Sequence, residues 1–394
     1  MLQTLETITG LAAYVREHAA EADAAGQLPA EMAAKMRQAG VIRLLQPADF
    51  GGAEAHPLEF FDAVLEIGAA YPSAGWVTGV VGVHPFEIAQ ADRRVQEEIW
   101  GQDPDTWVAS PYAPMGRARR VEGGYVLSGR WPFSSGTDNC EWVVIGGVLE
   151  PQQGQDGATQ DQAGERRHFI LRRDQYVIDQ DSWNVIGLKG TGSKDLVVQE
   201  AFVPDYRIVD PARISSGEAA REAGRDIPLY RMHWYMMFSA AITAGTLAIA
   251  QGALSVFEET VCSASREATA KALRDPHLMS ELGNVSAELD RSRTQFRHDV
   301  TEMYAQAQAN VPVTDAQRLT VRRNQVGLAQ RAVASVEKLF LLGGGHTIRE
   351  TGAFQRYWRD IHCAGSHSAN FAQPVFSAYG AFRMNGEIPA GVRF

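Results

Sequence analysis

The hydrophobic period of this chain changes twice, and that restricts the folds open to it. Through residues 5–101 the spacing is helical in an alanine-rich background. Leu11, Tyr14, Val15 and His18 share one face, and Pro29-Ala30-Glu31-Met32 opens a second helix with proline in its first turn. Leu44-Leu45-Gln46-Pro47-Ala48-Asp49-Phe50-Gly51-Gly52 breaks the helical pattern as a loop. Residues 106–210 read instead as strands punctuated by glycine turns, at 124–131, 142–148, 168–171 and 196–203. The polar, biased stretch 151–160 between them predicts a mobile loop. From residue 230 the helical period returns. Residues 236–253 are apolar nearly all round, as in a helix buried on most sides, while 280–307 and 315–342 are amphipathic. Helices, strands and helices in separate blocks predict an α+β architecture and not an alternating parallel sheet. The boundaries fall at 1–105, 106–210 and 211–394.

Composition excludes several classes. A net charge of −10 argues against a nucleic-acid partner, which calls for a basic face. No uninterrupted apolar run approaches the roughly 18 residues of a membrane span, and the N-terminus lacks a basic stretch followed by an apolar one. A cytoplasmic protein without membrane partners is expected. Cys140, Cys262 and Cys363 lie far apart, without metal-ligand or redox spacing.

Three motifs then appear in order: Trp131-Pro132-Phe133-Ser134-Ser135-Gly136, Gly187-Leu188-Lys189-Gly190-Thr191-Gly192-Ser193, and Gln355-Arg356-Tyr357-Trp358-Arg359-Asp360. Together they resemble the signatures of the acyl-CoA dehydrogenase superfamily. That resemblance implies an N-terminal helical domain, a central β-barrel or sandwich and a C-terminal four-helix bundle. Within the superfamily the chain is similar to oxygenase components of two-component flavin hydroxylases, of the 4-hydroxyphenylacetate and secosteroid-phenol type. The stretches that carry this are Gly75-Trp76-Val77-Thr78-Gly79-Val80-Val81-Gly82-Val83-His84, Ser110-Pro111-Tyr112-Ala113-Pro114-Met115-Gly116 and Arg359-Asp360-Ile361-His362-Cys363-Ala364-Gly365-Ser366-His367. In such proteins reduced FAD or FMN, supplied by a separate NAD(P)H-flavin reductase, reacts with O2 to a C4a-hydroperoxide that hydroxylates an aromatic substrate. A homotetramer or homodimer is implied as well.

A dehydrogenase of this fold needs a carboxylate base beside the flavin. Counting eight residues from Asp360 reaches Ser368, and residues 231–251 contain no acid, so both places the resemblance offers for a glutamate are empty. His367 stands next to the first. A histidine of ordinary pKa, near about 6.5, can take a phenol's proton. The resemblance puts His84 in the site as a donor to the peroxide or to a substrate oxygen, and Trp76 on the aromatic wall. It places Ser134 or Ser135 at flavin N5, with register favouring the first and spacing from His84 the second. It also directs Ser110, Tyr112, Phe133, Arg266 and Gly344 toward the flavin, Arg266 across a subunit boundary.

Plainer readings stand beside these. His84 alone fits a satisfied core histidine, Arg266 a solvated arginine, and Gly343-Gly344-Gly345 a helix-ending turn with no phosphate-loop spacing. Arg359-Asp360 fits a structural ion pair. Asp138-Asn139 and Phe371 stand where relatives can carry more ionisable groups, which points to a large or less polar substrate. Asn139 and Phe371, with Trp234, Met237 and Phe238, are the expected pocket residues, although helix packing explains the last three equally. The rival activities are N- or S-oxidation on the same fold, an acyl-CoA dehydrogenase with an unrecognised base, and a non-enzymatic flavin-binding protein.

Overall fold

The computed structural model describes residues 2–151, 164–263, 265–392 and 394. Most of the loop expected at 151–160 lies outside them. Prolines at the first helical position start Pro57–Ala70 and Pro72–Gly82. Tyr71 between them is extended, as the residue before a proline must be, and this turns the chain sharply. The two helices then close until backbone meets backbone at Gly68 and Gly75. Helix Pro72–Gly82 carries Trp76 and Val80 on one face, four residues apart, and both reach the cavity described below.

Among the described residues eight strands follow: β1 Val108–Ala109, β2 Gly116–Val121, β3 Gly124–Ser134, β4 Trp142–Leu149, β5 Arg166–Arg172, β6 Val177–Asp179, β7 Lys194–Pro204 and β8 Ile208–Val209. They form one mixed sheet in the order β6-β7-β3-β2-β4-β5-β8, with β1 beside β4. Pairing is antiparallel except for β1 and β2, which run parallel to β4. Trp131 anchors the sheet interior. Its Nε1–H donates to Gly146 O at 2.7 Å and to Ala113 O at 3.1 Å.

The C-terminal helices include Trp234–Cys262, Pro276–Gln308, Asp315–Leu342 and Phe354–Gly365. Asp275 caps the second with Pro276 at its start, and Thr314 with Gln317 forms a capping box on the third. Helix Trp234–Cys262 is central and packs on Pro57–Ala70, Pro72–Gly82, Asp315–Leu342 and Phe354–Gly365. Here the sequence expectation needs correction, because this helix is long and apolar enough, at mean hydropathy 1.5, to cross a membrane. Its apolar surface is spent inside the protein, however: 83% of the most apolar window is buried.

Candidate active site

The three blocks of structure meet around a cavity of about 1460 Å³. Single small-molecule pockets run to roughly 300–1,000 Å³, so this one has room for two ring systems. Trp76 and Val80 come from helix Pro72–Gly82, and Ser110 to Pro114 from the segment after β1. Phe133 and Ser135 come from the end of β3, and Leu188, Thr191 and Ser193 from the turn before β7. Trp234, Phe238 and Ile242 line it from the central helix, and His367, Ser368 and Phe371 from the C-terminal segment. Among the described lining residues there is no aspartate or glutamate, whereas Arg166, Arg167, Arg221, Arg231 and Arg318 are present.

A bulge sets the serine end. On β3 the residues Trp131 and Ser134 pair with Leu196 and Lys194, so three steps on one strand oppose two on the other. The extra residue shifts the alternation. Trp131 and Ser134 both turn inward, while Phe133 is pushed out at 67% exposure with φ of +67°. An aromatic residue in that backbone region is strained by roughly 1–3 kcal/mol. Its ring meets Trp183 edge-on, 6.3 Å between centroids, on the cavity wall.

Ser134 and Ser135 thereby part company. The Ser134 hydroxyl is sealed against Thr137 Oγ1, and only Ser135 lines the cavity. Thr191 Oγ1 donates to Leu188 O at 2.8 Å, so its 2.6 Å contact with Ser193 is a bond donated by Ser193. Ser193 has then used its hydrogen, and Ser135, 2.6 Å away, must donate to it. This chain of donors leaves Ser135 Oγ with its lone pairs free as an acceptor. The turn is tied down from behind, because Asp360 Oδ1 accepts from Leu188 N–H at 2.5 Å. Burial pushes the Asp360 carboxyl up to about 7. Arg359 pairs with Asp23 at 3.2 Å, so the two neighbours expected as one ion pair have separate partners.

The opposite side is an aromatic box. Trp234 and Phe238 stack at 5.7 Å and 4°, Tyr112 meets both edge-on, and His367 lies 5.8 Å from Trp76 and 6.4 Å from Phe238. His367 Nδ1 accepts from Ala369 N–H at 3.2 Å. The proton of the neutral ring therefore sits on Nε2, the nitrogen left for the cavity. Burial, helped by the Arg322 charge, pushes its pKa down to about 4 and keeps it neutral. In that state His367 offers a donor, where a base had been expected.

Behind Tyr112 lies a carboxylate that sequence reading passed over. Glu87 is wholly buried and accepts from Tyr112 Oη–H at 2.5 Å, Trp234 Nε1–H at 3.0 Å and His168 Nδ1–H at 2.6 Å. Burial opposes its charge. The His168 charge, with hydrogen bonds from His168 and Tyr112, outweighs this and holds the carboxyl below its ordinary value. An ionised carboxylate only accepts, so Tyr112 spends its hydrogen on Glu87. Its oxygen must then accept Nδ1–H from His84, 2.8 Å away. His84 Nε2 is left bare, buried and without a partner among the described residues. Burial, against the pull of Glu87, lowers the His84 pKa to about 4.

The other expected residues divide plainly. Trp76, Ser110, Tyr112, Phe133, Ser135, Trp234, Phe238, His367 and Phe371 line the cavity. His84 contacts it through Tyr112. Met237 turns into the core and Met236 lines the wall in its place. Asn139 is committed elsewhere, donating to Leu28 O at 3.1 Å and accepting from Arg37 at 2.7 Å. Arg266 is exposed at the start of Arg266–Ala272, away from this cavity, and Gly344, at φ of +56°, closes a helix turn outside it. A lone acid within the mostly apolar Val83-His84-Pro85-Phe86-Glu87-Ile88 was the available signal for Glu87. His168 was visible only as part of a strand.

An isoalloxazine fits the serine end, where Ser135 presents an acceptor beside the outward-turned Phe133 and Trp183. Residues 6–90 match the acyl-CoA dehydrogenase N-terminal domain, and residues 240–371 match the acyl-CoA dehydrogenase C-terminal domain. The chain is 40% identical to a pigment production hydroxylase of Rhodococcus erythropolis, over 98% of this chain and 97% of that one. It is 34% identical to the flavin-dependent monooxygenase oxygenase subunit HsaA of Rhodococcus jostii, over 95% and 97%. The crystal structure of the HsaA monooxygenase from M. tuberculosis superimposes with a TM-score of 0.91 at 32% identity, covering 99% of this chain and 98% of that one. The chain belongs to the flavin-dependent monooxygenase oxygenase components built on the acyl-CoA dehydrogenase fold.

Proposed function

We propose that this protein hydroxylates an aromatic or heteroaromatic ring, polycyclic systems included. Reduced FAD or FMN from a separate NAD(P)H-flavin reductase and O2 are the co-substrates. The single observation that carries the reading is a large aromatic-walled cavity with no carboxylate among its described lining residues. Dehydrogenation of a thioester needs a base there to take the α-proton, and Glu87, the nearby acid, is occupied by three donors. When bound, reduced flavin supplies two electrons and activates O2, one atom entering the ring and the other leaving as water.

The chain's residues do the rest. Ser135 Oγ accepts from the flavin N5–H and holds that proton in place. His367 Nε2–H donates toward the oxygen being transferred. Ser110 and the Tyr112–His84 pair stand at the aromatic box, where they hold a ring hydroxyl by hydrogen bonds. Trp76, Trp234 and Phe238 keep water from the reacting atoms. The reading includes a homotetramer or homodimer, as in the family pattern, which light scattering on the purified protein checks. The functional test mixes the protein with chemically reduced FAD or FMN, ¹⁸O2 and panels of phenols, indoles, polycycles, amines and thiophenes. One ¹⁸O atom on a ring carbon is expected. Label on nitrogen or sulfur alone, or no label on any substrate, overturns the proposal.

A further inference from the structure

We infer that Glu87 is a positioning residue of the hydroxylation site, locking three cavity-wall side chains and selecting the tautomer of His84 through Tyr112. The inference deepens the hydroxylase reading above and rests on it.

Glu87 lies on the short helix His84–Ile88, one turn after His84, so both side chains face the same way. A buried carboxylate that served packing alone would be a poor choice, because desolvation costs several kcal/mol per ion. Here the cost is met by donors from three separate segments: Tyr112 after β1, His168 on β5 and Trp234 at the start of the central helix. Each of the three also lines the cavity. One side chain thus sets the spacing of three walls of the box: the Tyr112 ring sits 4.7 Å from His168 and 4.9 Å from Trp234.

The consequence for His84 follows from hydrogen counting. With Glu87 accepting, the Tyr112 hydrogen points away from His84, Nδ1 carries the imidazole proton and Nε2 stays bare. Without Glu87, Tyr112 can donate to Nδ1, and the His84 proton moves to Nε2. At Nε2 the same ring then turns from acceptor into donor with no heavy atom displaced.

Neutron diffraction on deuterated crystals reads this directly. Deuterons are expected on His84 Nδ1 and on Tyr112 Oη facing Glu87; a deuteron on His84 Nε2 with Nδ1 bare overturns the assignment. Kinetics supply the second arm as product formed per reduced flavin oxidised. Glu87→Leu, which removes the acceptor, should lower that yield roughly ten- to hundredfold, while Glu87→Gln, which keeps a carbonyl toward Tyr112 and Trp234, should recover most of it. Equal yields in wild type and Glu87→Leu overturn the role. If Glu87→Leu does not fold, Tyr112→Phe breaks the same relay without emptying the carboxylate's pocket, and wild-type yield in that variant is equally fatal. A wild-type protein that oxygenates none of the substrates defeats the functional reading instead, and the neutron result still decides the tautomer.

Discussion

The Ser135 and Ser193 hydroxyls stand 2.6 Å apart, and the donor chain through Thr191 to Leu188 O makes Ser135 the acceptor that faces the cavity. Ser135→Ala should therefore raise hydrogen peroxide released per reduced flavin, by about tenfold if the lost bond is worth about 1.4 kcal/mol. Ser134→Ala should leave that ratio near wild type and lower stability by about 1 kcal/mol, since its hydroxyl bonds only to the turn. Peroxide assays and urea titrations separate the two. Equal leakage from both variants would refute the assignment.

His367 offers the cavity a donor from Nε2 because Ala369 N–H occupies Nδ1. His367→Ala should bind reduced flavin and consume O2 yet lose product yield by roughly a hundredfold. His367→Gln, whose amide restores a donor, should regain part of it. A His367→Ala variant with wild-type yield removes this residue from the chemistry.

Burial keeps His84 and His367 near pKa 4, so both stay neutral from pH 6 to 8. Neither ring should then produce an inflection near about 6.5 in the product yield. Stability carries the opposite signature. The unfolded chain takes up protons below about pH 6.5 and the native state only near 4, so stability falls as pH drops through that window. For fully buried His84 the loss between pH 7 and pH 5 is about 2 kcal/mol. Urea midpoints at pH 7 and pH 5 measure it, and an unchanged midpoint argues against neutral buried rings.

Cavity size makes a prediction about selectivity. With about 1460 Å³ to fill, a small phenol leaves wall area uncovered, whereas a fused polycycle of the same chemistry buries more apolar surface at roughly 25 cal/mol per Å². In direct competition polycycles should show the higher kcat/KM. A preference for monocyclic phenols would defeat the argument.

The helix crossing that presents Trp76 depends on absent side chains. A Cβ on Gly75 would lie 2.1 Å from Gly68 Cα and 2.5 Å from Gly68 N. Gly75→Ala must spread the two helices and should cost about 1–3 kcal/mol, seen as a lower Tm. A Tm equal to wild type would show that the helices separate freely.

Much of this was written in the residue pattern itself. The two changes of period marked the helical, strand and helical blocks, because burial on one face imposes its spacing on the residues that supply it. The cavity places of Trp76 and His367 and the empty glutamate positions came instead from the resemblance that the ordered motifs carry. Tertiary structure decided what local pattern cannot encode. A single bulge opposite β7 reversed the facing of Phe133 and Ser134, and no alternation along one strand reveals a residue inserted relative to its partner. The central helix is apolar on all sides, so it has no phase to show that Met236 and not Met237 meets the cavity. Glu87 acquires meaning only when Tyr112, His168 and Trp234 converge on it, for a carboxylate's charge and a histidine's tautomer are set by partners that folding brings from elsewhere in the chain.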